Sequence, residues 1–178
     1  FEFTYTCTDG TEGTLTVTGA ATSEKSKKIK AGSNCTVTEN GAKAAQGGYT
    51  LTAPDAQTVT IAKDQTAQVT MTNTYVRDMG TFSVTKSVTG AEVGDKEFTF
   101  SYTCDNNAKD TLKVKADGAA VSGPQLPVGT KCTITEDAQA AQIEGHTLEA
   151  PASQEVTIGE KNQVVATTFT NTYTPKAT

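Results

Sequence analysis

The chain has 178 residues, with 15 Lys and Arg against 20 Asp and Glu for a net charge of −5, and with one His and no Trp. That acidic balance argues against a nucleic-acid backbone or an anionic membrane as partner, and no stretch approaches the roughly 18 apolar residues of a membrane-spanning helix. The 35 Thr residues, most of them alternating with Val, Phe, Tyr or Ile, favour short pleated strands over helices, so the composition reads as all-β.

From its first residue the chain announces a pattern that returns. Phe1, Phe3, Tyr5 and Cys7 recur as Phe98, Phe100, Tyr102 and Cys104 at an offset of 97, as do Cys35 at Cys132, Glu39 at Glu136 and Pro54 at Pro151. Asn73 and Tyr75 recur as Asn171 and Tyr173 at an offset of 98, so a single one-residue slip falls between Ile61 and Asn73. Two copies of one domain are therefore expected, each long enough to bury its own core: residues 1–76, lacking a first strand in this chain, and residues 77–178, complete. The link Val76, Arg77, Asp78, Met79, Gly80 is short and polar, which predicts end-to-end domains with limited bending. The closing residues 174–178 read as the start of another linker. Any leader, anchor or further repeat of the parent protein is expected outside this sequence.

The four cysteines fall two per copy with the same spacing, Cys7 to Cys35 and Cys104 to Cys132, each 28 positions apart. Metal ligation calls for CxxC spacing or nearby histidines, and the one histidine, His146, aligns with Tyr49 of the other copy. Two disulfides in an oxidising, extracellular compartment are expected, with no metal and no cofactor.

Strand side chains alternate between faces, so parity tells which residues point inward. In residues 81–88, Phe82, Val84, Lys86 and Val88 share a face, which puts a lysine in an apolar row. Near the carboxy terminus Val165, Thr167, Phe169, Asn171 and Tyr173 share a face, and Cys132, Ile134 and Glu136 share another. The first copy keeps Glu39 behind Cys35 and Val37, and Asn73 between Met71 and Tyr75, without an equivalent lysine.

An amine, a carboxyl and a carboxamide buried together have a specific use. Desolvation favours neutral forms, so Lys86 could serve as an uncharged nucleophile beside a protonated Glu136. Glu136 would polarise the Asn171 carbonyl and carry protons while ammonia leaves, giving an intramolecular isopeptide bond. Fixed geometry makes so slow a reaction practical, since effective molarities of about 10⁵ M or more are available to held groups. A Lys86–Glu136 ion pair near a strand end, with Asn171 as an edge residue, fits the same spacing. Parity leaves both readings open.

The motifs VTKSVTG at residues 84–90, CTITE at 132–136 and FTNTYT at 169–174 together resemble the B-type repeat of collagen-adhesin stalks and pilins (CnaB-like), in its disulfide-bearing version from Gram-positive, especially actinobacterial, surface proteins. The resemblance covers residues 80–174 and residues 1–76 apart from a first strand. It implies two tandem immunoglobulin-like β-sandwiches, an isopeptide bond between Lys86 and Asn171, and Glu136 as its catalyst. In the first copy it implies Glu39 as the equivalent acid and Asn73 as the acceptor. Their lysine is missing here, and Lys25, Lys27 and Lys28 lie in the wrong segment. An upstream segment or a strand from another chain is expected to complete that copy.

Other motifs read as structure. LPVGT at residues 126–130 has GT where a sortase signal has TG, and its copy at residues 29–33 marks a turn feeding a strand. Asn34-Cys35-Thr36 fits a glycosylation sequon but is not repeated. No nucleophile with a histidine base and no phosphate loop is present, so turnover of a substrate has no support. The expected function is a structural stalk repeat of a secreted, cell-wall-anchored adhesin or pilus-like protein whose partners are its neighbouring repeats. Two other readings are a module binding a host protein or glycan, and a first domain that captures a strand.

Overall fold

The computed structural model describes residues 1–20 and 22–177, in two compact units, Phe1–Val76 and Arg77–Thr178. The second unit carries β7 (Met79–Thr89), β8 (Glu97–Cys104), β9 (Lys109–Lys115), β10 (Val121–Ser122), β11 (Leu126–Pro127), β12 (Lys131–Glu136), β13 (His146–Glu149), β14 (Gln154–Thr157) and β15 (Val164–Pro175). One sheet runs β14-β12-β8-β9 and the other β10-β7-β15-β13, with β11 also on β7. This is an immunoglobulin-like β-sandwich. The first and last strands, β7 and β15, lie side by side and parallel, with Val164 opposite Thr81 and Thr172 opposite Thr89.

Alternation of Thr with large apolar residues makes these strands two-faced. Along β15 every second residue from Thr167 to Tyr173 is buried and those between are exposed; along β8 Phe98, Phe100 and Tyr102 are buried. Rings from the two sheets meet in the core, Phe82 against Tyr102 at 5.2 Å and Phe100 against Phe169 at 5.0 Å between centroids. Burying such rings removes water from apolar surface, the main favourable term in folding. Strand β7 departs from alternation: residues 80–84 are buried on both faces, because β10 and β11 cover its edge and Ile158 packs on Gly80. Gly90 ends β7 at φ +82 against the Tyr173 backbone, where a Cβ would strike the carbonyl, so only glycine fits.

The first unit has β1 (Glu2–Cys7), β2 (Glu12–Thr16), β3 (Asn34–Glu39), helix α1 (Gly41–Ala44), β4 (Tyr49–Thr52), β5 (Gln57–Thr60) and β6 (Thr74–Arg77). Its first sheet, β2-β1-β3-β5, mirrors β9-β8-β12-β14 strand for strand; the second holds only β4 and β6. Among the described residues nothing occupies the place of β7, and residues 66–73 are in no strand. Helix α1 is one turn, capped by Asn40 accepting from the Lys43 amide. It breaks the all-strand expectation only locally.

Both disulfides are formed, Cys7–Cys35 and Cys104–Cys132. Each joins residues directly opposite on neighbouring strands of one sheet, β1 with β3 and β8 with β12, and not the two sheets. In LPVGT, Leu126 and Pro127 bridge to β7 and Gly129 turns at φ +96 into β12.

Candidate functional site: a buried lysine, glutamate and asparagine

The pairing of β7 with β15 puts Lys86 opposite Phe169, with Asn171 one step further along the same face of β15. Glu136 comes from the facing sheet, at the end of β12 opposite Phe100. The Lys86 and Glu136 side chains are 0% and 1% exposed, and Asn171 is fully buried. The lysine Nζ lies 3.3 Å from Glu136 Oε1, donates to the Phe169 carbonyl at 3.2 Å and sits 4.9 Å from the centre of the Phe98 ring. Asn171 Nδ2 donates to the same Glu136 Oε1 at 3.2 Å and to the Tyr173 hydroxyl at 3.3 Å. One carboxyl oxygen thus touches both the amine and the amide nitrogen.

Burial drives the electrostatics. It lowers the Lys86 pKa below the ordinary lysine value and raises that of Glu136 above the ordinary carboxyl value, and in each the partner's charge opposes the shift without cancelling it. Both groups are pushed toward their neutral forms, an amine with a lone pair and a protonated acid. The hydrogen bonds agree. Glu136 Oε2 and Asn171 Oδ1 are buried acceptors without a donor, and a proton on the carboxyl makes it a donor as well as an acceptor. Left unpaired, such atoms cost about 1–3 kcal/mol each.

Tyr173 was legible in the sequence only as a recurring core residue. Its hydroxyl donates to the Ala141 carbonyl at 2.6 Å, tying β15 to the turn after Glu136, while it accepts from Asn171. The signal was available: in both copies a Tyr follows the Asn by two, and Tyr75 donates to the Ala44 carbonyl at 2.6 Å. Phe98, whose ring lines the lysine amine, was likewise read only as core.

The first unit holds the same constellation short of its amine. Asn73 Nδ2 donates to Glu39 Oε1 at 2.7 Å, and Glu39 Oε2 and Asn73 Oδ1 are buried without a partner. Lys25, Lys27 and Lys28 are exposed.

One family model, described as "Domain of unknown function (DUF5979)", matches residues 1–76 and again residues 82–174. The chain belongs to the DUF5979 family. Among solved structures, this DUF5979 chain is similar to the Bacillus anthracis TIE protein at 16% identity and a TM-score of 0.50, over 96% of this chain and 30% of that one. It is also similar to an adhesin from Mobiluncus mulieris containing intramolecular disulfide, isopeptide and ester bond cross-links, at 15% identity, 97% and 84% coverage and a TM-score of 0.44. The pilus-presented adhesin Spy0125 (Cpa) matches at 18% identity and a TM-score of 0.39 over 52% of this chain, which spans 27% of that protein. No curated protein sequence matches. At these identities the likeness is one of fold alone.

Proposed function

We propose that this chain is a structural stalk segment of a secreted, wall-anchored surface protein, in which the second unit locks itself with an isopeptide bond between Lys86 and Asn171. The observation that carries the reading is the shared oxygen: Glu136 Oε1 reaches both the nucleophilic amine and the amide nitrogen that must leave. The neutral Lys86 amine attacks Asn171 Cγ, and the new C–N bond replaces the bond to the amide nitrogen. The amine proton passes by way of Glu136 to that nitrogen, which departs as ammonia. Atoms and charge balance, nothing is oxidised, and the reaction runs once.

The position of the bond gives it a mechanical use. It joins β7 to β15, the first and last strands of the unit, so tension applied at the two ends passes through a covalent link and not through the ladder of hydrogen bonds. The two disulfides favour an oxidising compartment outside the cell. Intact mass of the purified chain tests the reading. A deficit of one ammonia, about 17 Da, beyond the hydrogens lost to the disulfides is expected, with a fragment joining the peptides of Lys86 and Asn171. An unmodified mass would overturn it.

A further inference from the structure

We propose that Tyr173 is a positioning residue of the cross-linking site: its hydroxyl holds the Asn171 carboxamide so that the nitrogen which must leave, and not the oxygen, faces the proton carrier Glu136. The proposal rests on the bond-forming chemistry assigned above to the second unit.

A carboxamide has two ends of nearly equal size, a nitrogen that donates and an oxygen that accepts, so its neighbours decide which way it turns. Asn171 Nδ2 meets Glu136 Oε1 at 3.2 Å and the Tyr173 hydroxyl at 3.3 Å. Glu136 alone does not make the choice. Burial pushes its carboxyl toward the protonated form, and a protonated carboxyl both donates and accepts, so it can face either end of the amide. Tyr173 can face only one. Its single proton goes to the Ala141 carbonyl at 2.6 Å, which leaves lone pairs for Asn171. Burial raises the pKa of this hydroxyl, so the proton stays in place. Turned over, the fully buried carboxamide would set its oxygen against an oxygen with no proton to give.

The same hydroxyl fixes where Glu136 stands. Ala141 lies in the turn that follows Glu136, and other bonds hold that turn too: Asp137 Oδ1 accepts from the Gln139 and Ala140 amides, and Lys96 Nζ donates to the Ala140 carbonyl at 3.0 Å. One oxygen thus ties the turn behind the acid to the amide of the acceptor. The first unit repeats both ties, with Tyr75 donating to the Ala44 carbonyl and Asn73 Nδ2 to Glu39 Oε1.

In the reaction, Lys86 Nζ bonds to Asn171 Cγ and the Cγ–Nδ2 bond breaks, while the lysine proton reaches Nδ2 by way of Glu136 and ammonia leaves. Nδ2 gains positive charge as it takes that proton. The Tyr173 lone pair already faces it, a fixed acceptor where the charge develops. Without the hydroxyl the carboxamide is free to turn, and misplacing a reacting group by about 1 Å costs on the order of 10²-fold in rate.

Synthesis of the full chain in an oxidising cell-free reaction, sampled over time by intact mass, follows bond formation from the first folded molecules. Tyr173→Phe keeps the ring and should lose ammonia about 10²-fold more slowly than the unaltered chain, with hydrogen exchange showing the second unit folded. Leu126→Ala is the control for lost stability. It truncates a buried side chain on β11, which pairs with β7 at Gly80, away from Lys86, and should leave the rate per folded molecule unchanged. Replacing Tyr173 by 3-fluorotyrosine keeps ring and hydroxyl, strengthens the bond given to Ala141 and weakens the one accepted from Asn171. That chain should form the cross-link several-fold more slowly with no loss of stability, and it decides the matter should Tyr173→Phe not fold. Tyr173→Phe reacting as fast as the unaltered chain, Leu126→Ala slowed as much as Tyr173→Phe, or an unslowed fluorotyrosine chain each overturns the proposal and leaves the cross-link standing. No ammonia loss from the unaltered chain sinks the cross-link and this role with it.

Discussion

The two units carry the same sheet, the same disulfide, the same Tyr-to-carbonyl tie and the same Glu–Asn hydrogen bond, and they differ in the facing sheet, where among the described residues only the second has β7, with β10 and β11 on it, and a long last strand. Strand β7 closes the core of the second unit. There Phe82 packs on Tyr102 and Lys86 lies over Phe98 beside Glu136; among the described residues of the first unit Phe1 is exposed, Phe3 is half-buried and Glu39 accepts from Asn73. Local sequence suffices to build one face of the sandwich. Sealing it needs the element that pairs with the last strand, because apolar surface stabilises only in proportion to the area removed from water.

The largest test of this contrast removes the amine. Lys86→Met keeps most of the volume, and it should abolish the ammonia deficit and make the second unit unfold more easily by roughly 4–5 kcal/mol, the loop-closure value for a long loop such as that from Lys86 to Asn171. Chemical denaturation and resistance to protease read the change; an unshifted midpoint would show that the bond contributes nothing to this unit.

Next come the disulfides, each closing a 28-residue separation and worth roughly 3–4 kcal/mol. Because the first unit has the more open core, the pair Cys7→Ser and Cys35→Ser should unfold residues 1–76. The pair Cys104→Ser and Cys132→Ser should leave the second unit folded but weakened. Hydrogen exchange resolved by unit distinguishes the two, and equal loss in both would break the contrast.

Charge provides a smaller effect with a definite sign. In Lys86→Met the Glu136 carboxyl keeps the burial that raises its pKa and loses the cation that opposes it. A raised folded pKa gives stability that is fully present below the ordinary value of 4.5 and is lost as pH rises through the folded value. The slope is at most one proton, about 1.4 kcal/mol per pH unit. Denaturation midpoints measured from pH 4 to 8 should therefore fall, and adding Glu136→Gln should flatten them.

The smallest effect concerns the tyrosines. Tyr173→Phe leaves the Ala141 carbonyl and the Asn171 amide short of a partner and should cost about 1–2 kcal/mol. Tyr75→Phe, at a half-buried position, should cost less. A slower appearance of the ammonia deficit in Tyr173→Phe would mark it as a positioning residue and not merely a stabilising one.

What could be read from the chain alone was whatever depends on period and repetition. Alternation in residues 81–88 and 165–173 assigned the inward faces, and the structure buries Lys86 and Asn171 on them, because a strand's side-chain period is two whatever surrounds it. The repeat paired the cysteines and set Glu39 beside Glu136, since equal spacing on equal strands gives equal neighbours. What only the tertiary structure decided depends on which strands meet across the sandwich. Parity could not say that Glu136 lies across the sandwich from the other two, that one of its oxygens serves both, or that Tyr173 holds the turn behind it. Nor could it show β7 buried on both faces by β10, β11 and Ile158. Those are contacts between residues far apart in sequence, and they follow from packing, which no local pattern encodes.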